Sequence, residues 1–160
     1  MGILIKRGDK RKQFLLYEKF ERCFPEIMQD TSYFYDDSEF YILYVNRVPA
    51  AISCHLIGRK RDFTFADIYN FAVLPEFRGQ GLSEVLLRHH IKLLEDGSYR
   101  YYVIQTIEDN YPMLHLLRKL KKEGLFKSEK KLMRPHDYYG NGKLLYFIQF
   151  KSGSFPISKI

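Results

Sequence analysis

The sequence predicts an α/β domain whose sheet carries strands of mixed direction, and two observations support that expectation. Short runs rich in β-branched and aromatic residues recur from Ile3 to Phe150, bounded by Gly, Asn and Asp. Between them lie stretches whose apolar residues return at helical spacing. Strand and helix signals alternate in the later part of the chain without an internal repeat, which points to one mixed sheet rather than a helical or an all-β array.

In chain order, Ile3 to Lys6 is a short first strand. Leu16, Phe20, Cys23 and Phe24 then mark one face of a helix that ends at Pro25. Asp30 to Glu39 mixes acids, Ser and aromatics with no clean period and is expected to be a loop or a short irregular helix. Three antiparallel strands follow: Phe40 to Val45, Pro49 to Ile57 and Phe63 to Leu74, with turns at Asn46-Arg47 and at Gly58 to Asp62. Leu82, Val85, Leu86, His89 and Leu93 define one face of a helix that stops near Asp96-Gly97, Gly being the usual residue just past a helix end. Tyr101 to Ile107 is the next strand. A last helix runs from Tyr111 to Lys122, with Met113, Leu116, Leu117 and Leu120 on one face and a stop at Gly124. Lys127 to Met133 and Leu144 to Phe150 close the sheet, joined by a Pro135-to-Gly142 connection.

Composition narrows the class. The chain has 160 residues, 46% hydrophobic and 28% charged, with 10 Gly and 6 Pro, so it can bury a sizeable core as one domain spanning 1–160, with 151–160 as a flexible tail. Disordered and collagen-like classes are excluded. No apolar run approaches the roughly 18 residues that cross a bilayer, so a soluble, cytoplasmic protein with no membrane partner is expected. Lys6 stands where an N-myristoylation signal requires Ser or Thr. Cys23 and Cys54 are too few for a disulfide framework or a four-ligand metal site, which suits a reducing compartment and predicts no metal. The formal charge of +7, from 26 basic against 19 acidic side chains, invites nucleic acid as a partner. The basic clusters are dispersed, however, and no nucleic-acid-binding motif is present, so solvated faces are the preferred account.

The informative run is Ile68 to Leu87. A strand ends at Leu74-Pro75, a basic, glycine-bearing turn follows from Phe77 to Gly81, and a helix starts at once. Such a junction is an anion site: N–H groups at a helix start lack intrahelical partners, the helix dipole adds partial positive charge, and glycines admit close backbone approach. Pyrophosphate fits it. A Rossmann fingerprint would need Gly where Glu84 stands, and a P-loop would need Gly-Lys-Ser/Thr after a longer loop.

The run resembles instead the acetyl-coenzyme A signature Q/R-x-x-G-x-G/A of the GNAT superfamily of N-acetyltransferases. Arg78 stands at its first position, Gly81 at its fourth and Ser83 at its sixth, where Gly or Ala is usual. The preceding Phe71 to Phe77 and the order of elements from Ile3 to Phe150 are similar to the family as well. The resemblance implies a mixed, mostly antiparallel sheet flanked by helices, acetyl-CoA as acyl donor and CoA as product. It also implies that the backbone of Phe71, Ala72 and Val73 bonds the pantetheine arm, and that Arg78, Gly79, Gln80, Gly81, Leu82 and Ser83 cradle the pyrophosphate. Asn110 matches an Asn that contacts the cofactor in the family, and it equally suits a helix N-cap.

Direct amine acetylation needs a base, donors for the thioester oxyanion and often an acid for the departing thiolate. Asp67 occupies the strand position of the family's glutamate base, and it would equally serve as a partly solvated acid beside the Arg59 to Arg61 turn. The Val73 N–H is the implied oxyanion donor. The family's tyrosine acid is absent: Leu117 or Leu120 takes its place, depending on the spacing used, which leaves Tyr111 and His115 as candidates on that helix. For the acceptor, Tyr33, Tyr35, Asp36 and Asp37 suit a cationic primary amine, through ring faces and carboxylates together, on a small molecule or on a protein lysine or N-terminus. A catalytically silent acyl-CoA-binding module is the second function in view, and a basic nucleic-acid-binding domain the third. Dimerisation through strand edges stays open.

Overall fold

The computed structural model describes residues 2–8, 20, 38–60, 63–97, 99, 101–107, 110–132 and 144–150. The chain divides into two compact units: Met1–Ile57 with Ile68–Leu93, and Gly58–Asp67 with Leu94–Ile160.

In the first unit, strands β1 (Ile3–Arg7), β2 (Ser38–Val45), β3 (Val48–Lys60) and β4 (Phe63–Val73) are hydrogen-bonded in that order, β3 and β4 each having one end in the second unit. β1 pairs antiparallel to β2 with Ile3 opposite Val45, and β2 pairs antiparallel to β3 with Phe40 opposite Cys54. Asn46 and Arg47 turn the β2–β3 hairpin with φ of 48° and 72°, the mirror-image turn whose twist matches that of paired strands. Asn46 also stitches the chain start to this turn: its Oδ1 accepts from Gly2 N–H at 3.0 Å, and its own N–H donates to the Gly2 carbonyl at 2.9 Å.

β2 begins at Ser38, so the loop expected from Asp30 to Glu39 overran the strand by two residues. Glu39 reads as a loop acid but stands in the sheet because Arg7 of the neighbouring strand ion-pairs with it at 2.9 Å. β3 likewise continues to Lys60, past the turn expected from Gly58. Gly58 is there as a packing gap: a Cβ at that position would overlap the ring of Phe65. The expected first helix lies outside the described residues except for Phe20, which is helical and fully buried.

Alternation along the strands of the first unit makes two cores. Phe20, Phe40, Ile42, Ile52, Cys54, Ala72 and Leu74 pack together in one. Tyr41, Leu43, Val45, Ala50 and Ala51 pack in the other against Leu82 and Leu86 of helix α1 (Leu82–Asp96). Truncating Leu86 would cost about 2–5 kcal/mol, the usual range for emptying a buried leucine site. The inward face of α1 differs from the one the spacing predicts. Leu82, Leu86, Leu87, His90, Ile91 and Leu94 are buried, whereas Val85 is exposed and His89 half-buried. The expected stripe took His89 in place of its neighbour His90, a displacement of one residue, or about 100° on a helix.

In the second unit, β5 (Tyr101–Ile107), β7 (Leu144–Phe150) and β6 (Ser128–Leu132) are neighbours in that order, and both pairings are antiparallel. Tyr102 is buried, edge-on to Phe126, with its hydroxyl donating to the Leu125 carbonyl at 3.0 Å and to Glu95 at 3.3 Å. Helix α2 (Tyr111–Lys122) buries Leu114, Leu116, Leu117 and Leu120, with Met113 only half-buried. Gly124, at φ 86°, closes the helix: its N–H bonds the Lys121 carbonyl at 3.0 Å and that of Leu125 bonds Leu120 at 3.0 Å. The Pro135-to-Gly142 connection and residues 151–160 lie outside the described residues.

Candidate functional site

β4 ends at Val73, and a single 3-10 turn, Pro75–Phe77, redirects the chain toward α1. Phe77 N–H donates to the Leu74 carbonyl at 2.9 Å and Arg78 N–H to that of Pro75 at 3.2 Å. The Arg78 side chain reaches back, Nε donating to the Val73 carbonyl at 3.2 Å. Gly79 and Gly81 then take φ of 76° and 72°, a conformation that side chains disfavour. A Cβ built on either would meet nothing within 4 Å, so space lies open beside the main chain at both positions.

The Gly81 carbonyl accepts the first helical bonds, from Glu84 at 3.1 Å and Val85 at 3.3 Å. The N–H groups of Leu82 and Ser83 therefore precede the intrahelical ladder and carry the positive end of the helix dipole. Leu82 buries its side chain in the core and so anchors the turn from below. The residues expected to form the cradle, Arg78 to Ser83 with Phe71, Ala72 and Val73, lie in the first unit, at an exposed, glycine-bearing helix start beside a basic side chain.

The remaining candidates stand in the second unit. Asp67 is half-buried on β4, with Oδ1 screened from solvent. Its neighbour Ala66 is fully buried, so the two alternate between the strand's faces. Asn110 caps α2, its Oδ1 accepting from Met113 N–H at 3.3 Å. The cap uses the carbonyl oxygen, so any cofactor contact falls to the side-chain NH₂. Tyr111, 72% exposed, and His115, also exposed, are one helical turn apart on the outer face of α2. Leu117 and Leu120, the two positions where the resemblance would place a tyrosine, are fully buried core residues. Tyr33, Tyr35, Asp36 and Asp37 lie outside the described residues.

Sequence reasoning missed a buried polar row in the first unit. Ser53 Oγ is 2.8 Å from His90 Nδ1, and His90 Nε2 is hydrogen-bonded to His55 Nδ1. Burial holds both imidazoles below the ordinary histidine range, His90 the more strongly because His55 and His89 oppose a charge on it as well. The only signal was the His89-His90 pair within an apolar helix stripe.

Comparison with known families completes the site: residues 12–121 match the acetyltransferase (GNAT) family. The chain belongs to that family, and its chemistry is acetyl transfer from acetyl-CoA to an amine. Solved structures share the fold. The ribosomal-protein-S18-alanine N-acetyltransferase of Escherichia coli is 20% identical with a TM-score of 0.70, over 96% of this chain and 97% of that one. A Bacillus subtilis acetyltransferase in complex with CoA is 15% identical with a TM-score of 0.69, over 94% and 99%. Arabidopsis thaliana NAA60 in complex with acetyl-CoA is 12% identical with a TM-score of 0.70, over 95% and 100%. A comparison with curated protein sequences found no match. Among the described residues no helix is long and apolar enough to cross a membrane.

Proposed function

We propose that this chain binds acetyl-CoA on the turn Arg78–Ser83 and acetylates the primary amine of a peptide or protein, with Asp67 as the base. The observation that carries the reading is the pair of left-handed glycines, Gly79 and Gly81, open on their Cβ side at the start of α1. Acetyl-CoA, when bound, supplies an activated acetyl thioester. The N–H groups from Gly79 to Ser83 would hold its pyrophosphate, with the Ser83 hydroxyl as an added donor. The backbone of Phe71 to Val73 would hold the pantetheine arm in the manner of an added strand.

Asp67, its Oδ1 screened from solvent on β4, would take the proton from the ammonium before attack. With Leu117 and Leu120 buried, the proton for the thiolate falls to Tyr111, His115 or solvent. The peptide acceptor draws support from relatives of the same fold: the Escherichia coli enzyme acts on a ribosomal-protein alanine, and a NatC complex was solved bound to a Gag peptide and CoA. A cytoplasmic location fits the fully buried thiol of Cys54.

The test is thiol release from acetyl-CoA over a panel of peptide α-amines, lysine peptides and small amines, with CoA-induced thermal stabilisation in parallel. Saturation at ~100 times Kd adds about 2.7 kcal/mol, a rise of roughly 5–10 °C. The rise should vanish in Gly81→Glu, which fills the open side of the cradle. Stabilisation that persists in that variant would place the cofactor elsewhere.

A further inference from the structure

The buried histidine row lies between α1 and the strands that α1 covers, all within the first unit. From β3 come Ser53 and His55, and from α1 His90, each at most 2% exposed. On the solvent side, His55 Nε2 faces Glu39 Oε2 at 4.0 Å. Glu39 accepts from the Tyr41 hydroxyl at 3.0 Å and ion-pairs with Arg7 of β1 at 2.9 Å. The Tyr41 ring is stacked with His55, tilted against His90 and edge-on to His89, with centroids 6.1 Å, 4.9 Å and 6.0 Å away respectively. Lys92 adds a like charge beside His89. These are the titratable groups that β1, β2, β3 and α1 turn toward the pair among the described residues.

The carboxylate of Glu39 favours one hydrogen-bond polarity along the row. A proton on His55 Nε2 points at the Glu39 carboxylate and leaves Nδ1 as an acceptor. His90 then donates from Nε2, and its Nδ1 accepts from the Ser53 hydroxyl. Each ring is neutral, and one proton lies between the two facing nitrogens. A second proton there would set two N–H groups against each other in a buried space. His90 is seven residues beyond Ser83 on the same helix, about 10 Å along it, so a shift at His90 is carried to the phosphate turn as a rigid movement.

We propose that His55 and His90 are positioning residues for the phosphate turn: as a neutral pair they seat α1 on β2 and β3, and protonation unseats the helix and weakens cofactor binding at its N-terminus. This rests on the reading of Gly79–Ser83 as the cradle of the cofactor.

The experiment measures CoA binding by calorimetry at pH 7.5 and pH 5.5 in wild type and in the double variant His55→Gln with His90→Gln. The phosphates of CoA titrate alike in both proteins, so the comparison isolates the pair. The pH 5.5 to pH 7.5 ratio of Kd is expected to be larger in wild type, by about twofold or more, because burial leaves the pair only partly protonated at pH 5.5. Equal ratios with intact binding at pH 7.5 would overturn the proposal alone. No CoA binding at pH 7.5 in wild type would overturn the cradle and the proposal with it. If the double variant fails to fold, ring-nitrogen NMR of wild type decides. The His55 and His90 rings should both stay neutral as the pH falls through the ordinary histidine range, and titration of both within that range would overturn the proposal.

Discussion

Arg78 Nε donates to the Val73 carbonyl at 3.2 Å, so the first residue of the Arg78–Ser83 turn holds the last residue of β4 across the 3-10 turn between them. The contact ties the strand end that would carry the pantetheine arm to the turn that would carry the phosphates. Arg78→Ala should weaken CoA binding by about tenfold, the scale of one charge-assisted hydrogen bond. Because Arg78 is exposed, unfolding stability should change by less than ~0.5 kcal/mol. Titration calorimetry beside urea unfolding checks both halves.

The cap that Asn110 makes on α2 can be separated by mutation from the proposed cofactor contact. Asn110→Ala removes the N-cap and should cost about 1 kcal/mol in urea unfolding. Asn110→Asp keeps an oxygen for Met113 N–H and should restore that stability. If the side-chain NH₂ also meets the cofactor, Asn110→Asp will still bind CoA several-fold more weakly. Wild-type affinity in Asn110→Asp would reduce the residue to its cap.

How much could be read beforehand depended on whether a feature is local. The turn from Arg78 to Ser83 was legible because glycines followed by a helix start constrain a few consecutive residues, whatever surrounds them. Strand positions such as Tyr101–Ile107 were legible from their pattern. Ser38, Glu39 and Gly58 were misjudged because their strand membership comes from partners distant in sequence: Arg7 for Glu39, and the Phe65 ring for Gly58. His90 was invisible for the same reason. A polar residue earns an inward position only when another element brings the matching donor or acceptor, here Ser53 and His55.

Asp67→Asn keeps the shape of the side chain and removes its basicity. As the base, it should lower kcat by about 10²-fold while KM for acetyl-CoA stays within ~2-fold. The acidic limb of the kcat profile should shift or disappear. A variant with full kcat and an unchanged limb would make Asp67 a strand acid only.

Acid should loosen the ligand-free protein through His55 and His90. Burial lowers both folded-state pKa values below the ordinary 6.5, so the unfolded chain takes up protons first as pH falls. Stability is therefore whole above that range and declines below it, by ~1 kcal/mol per ring per pH unit at most. Urea unfolding at pH 7.5, 6.5 and 5.5 should show this slope in wild type. It should be shallower in the double variant His55→Gln with His90→Gln, and identical slopes would assign the acid sensitivity to carboxylates.

Cys54, 0% exposed among Phe40, Ile42 and Ile52, gives the first unit its own clock. With Cys23→Ser in the background, a thiol reagent can reach sulfur only when that core opens, so the labelling rate counts openings in the native state. Denaturant that leaves the rate flat at first and then raises it would separate local breathing from global unfolding. CoA that slows labelling would show that occupying the turn is felt across the sheet, without any assay of turnover.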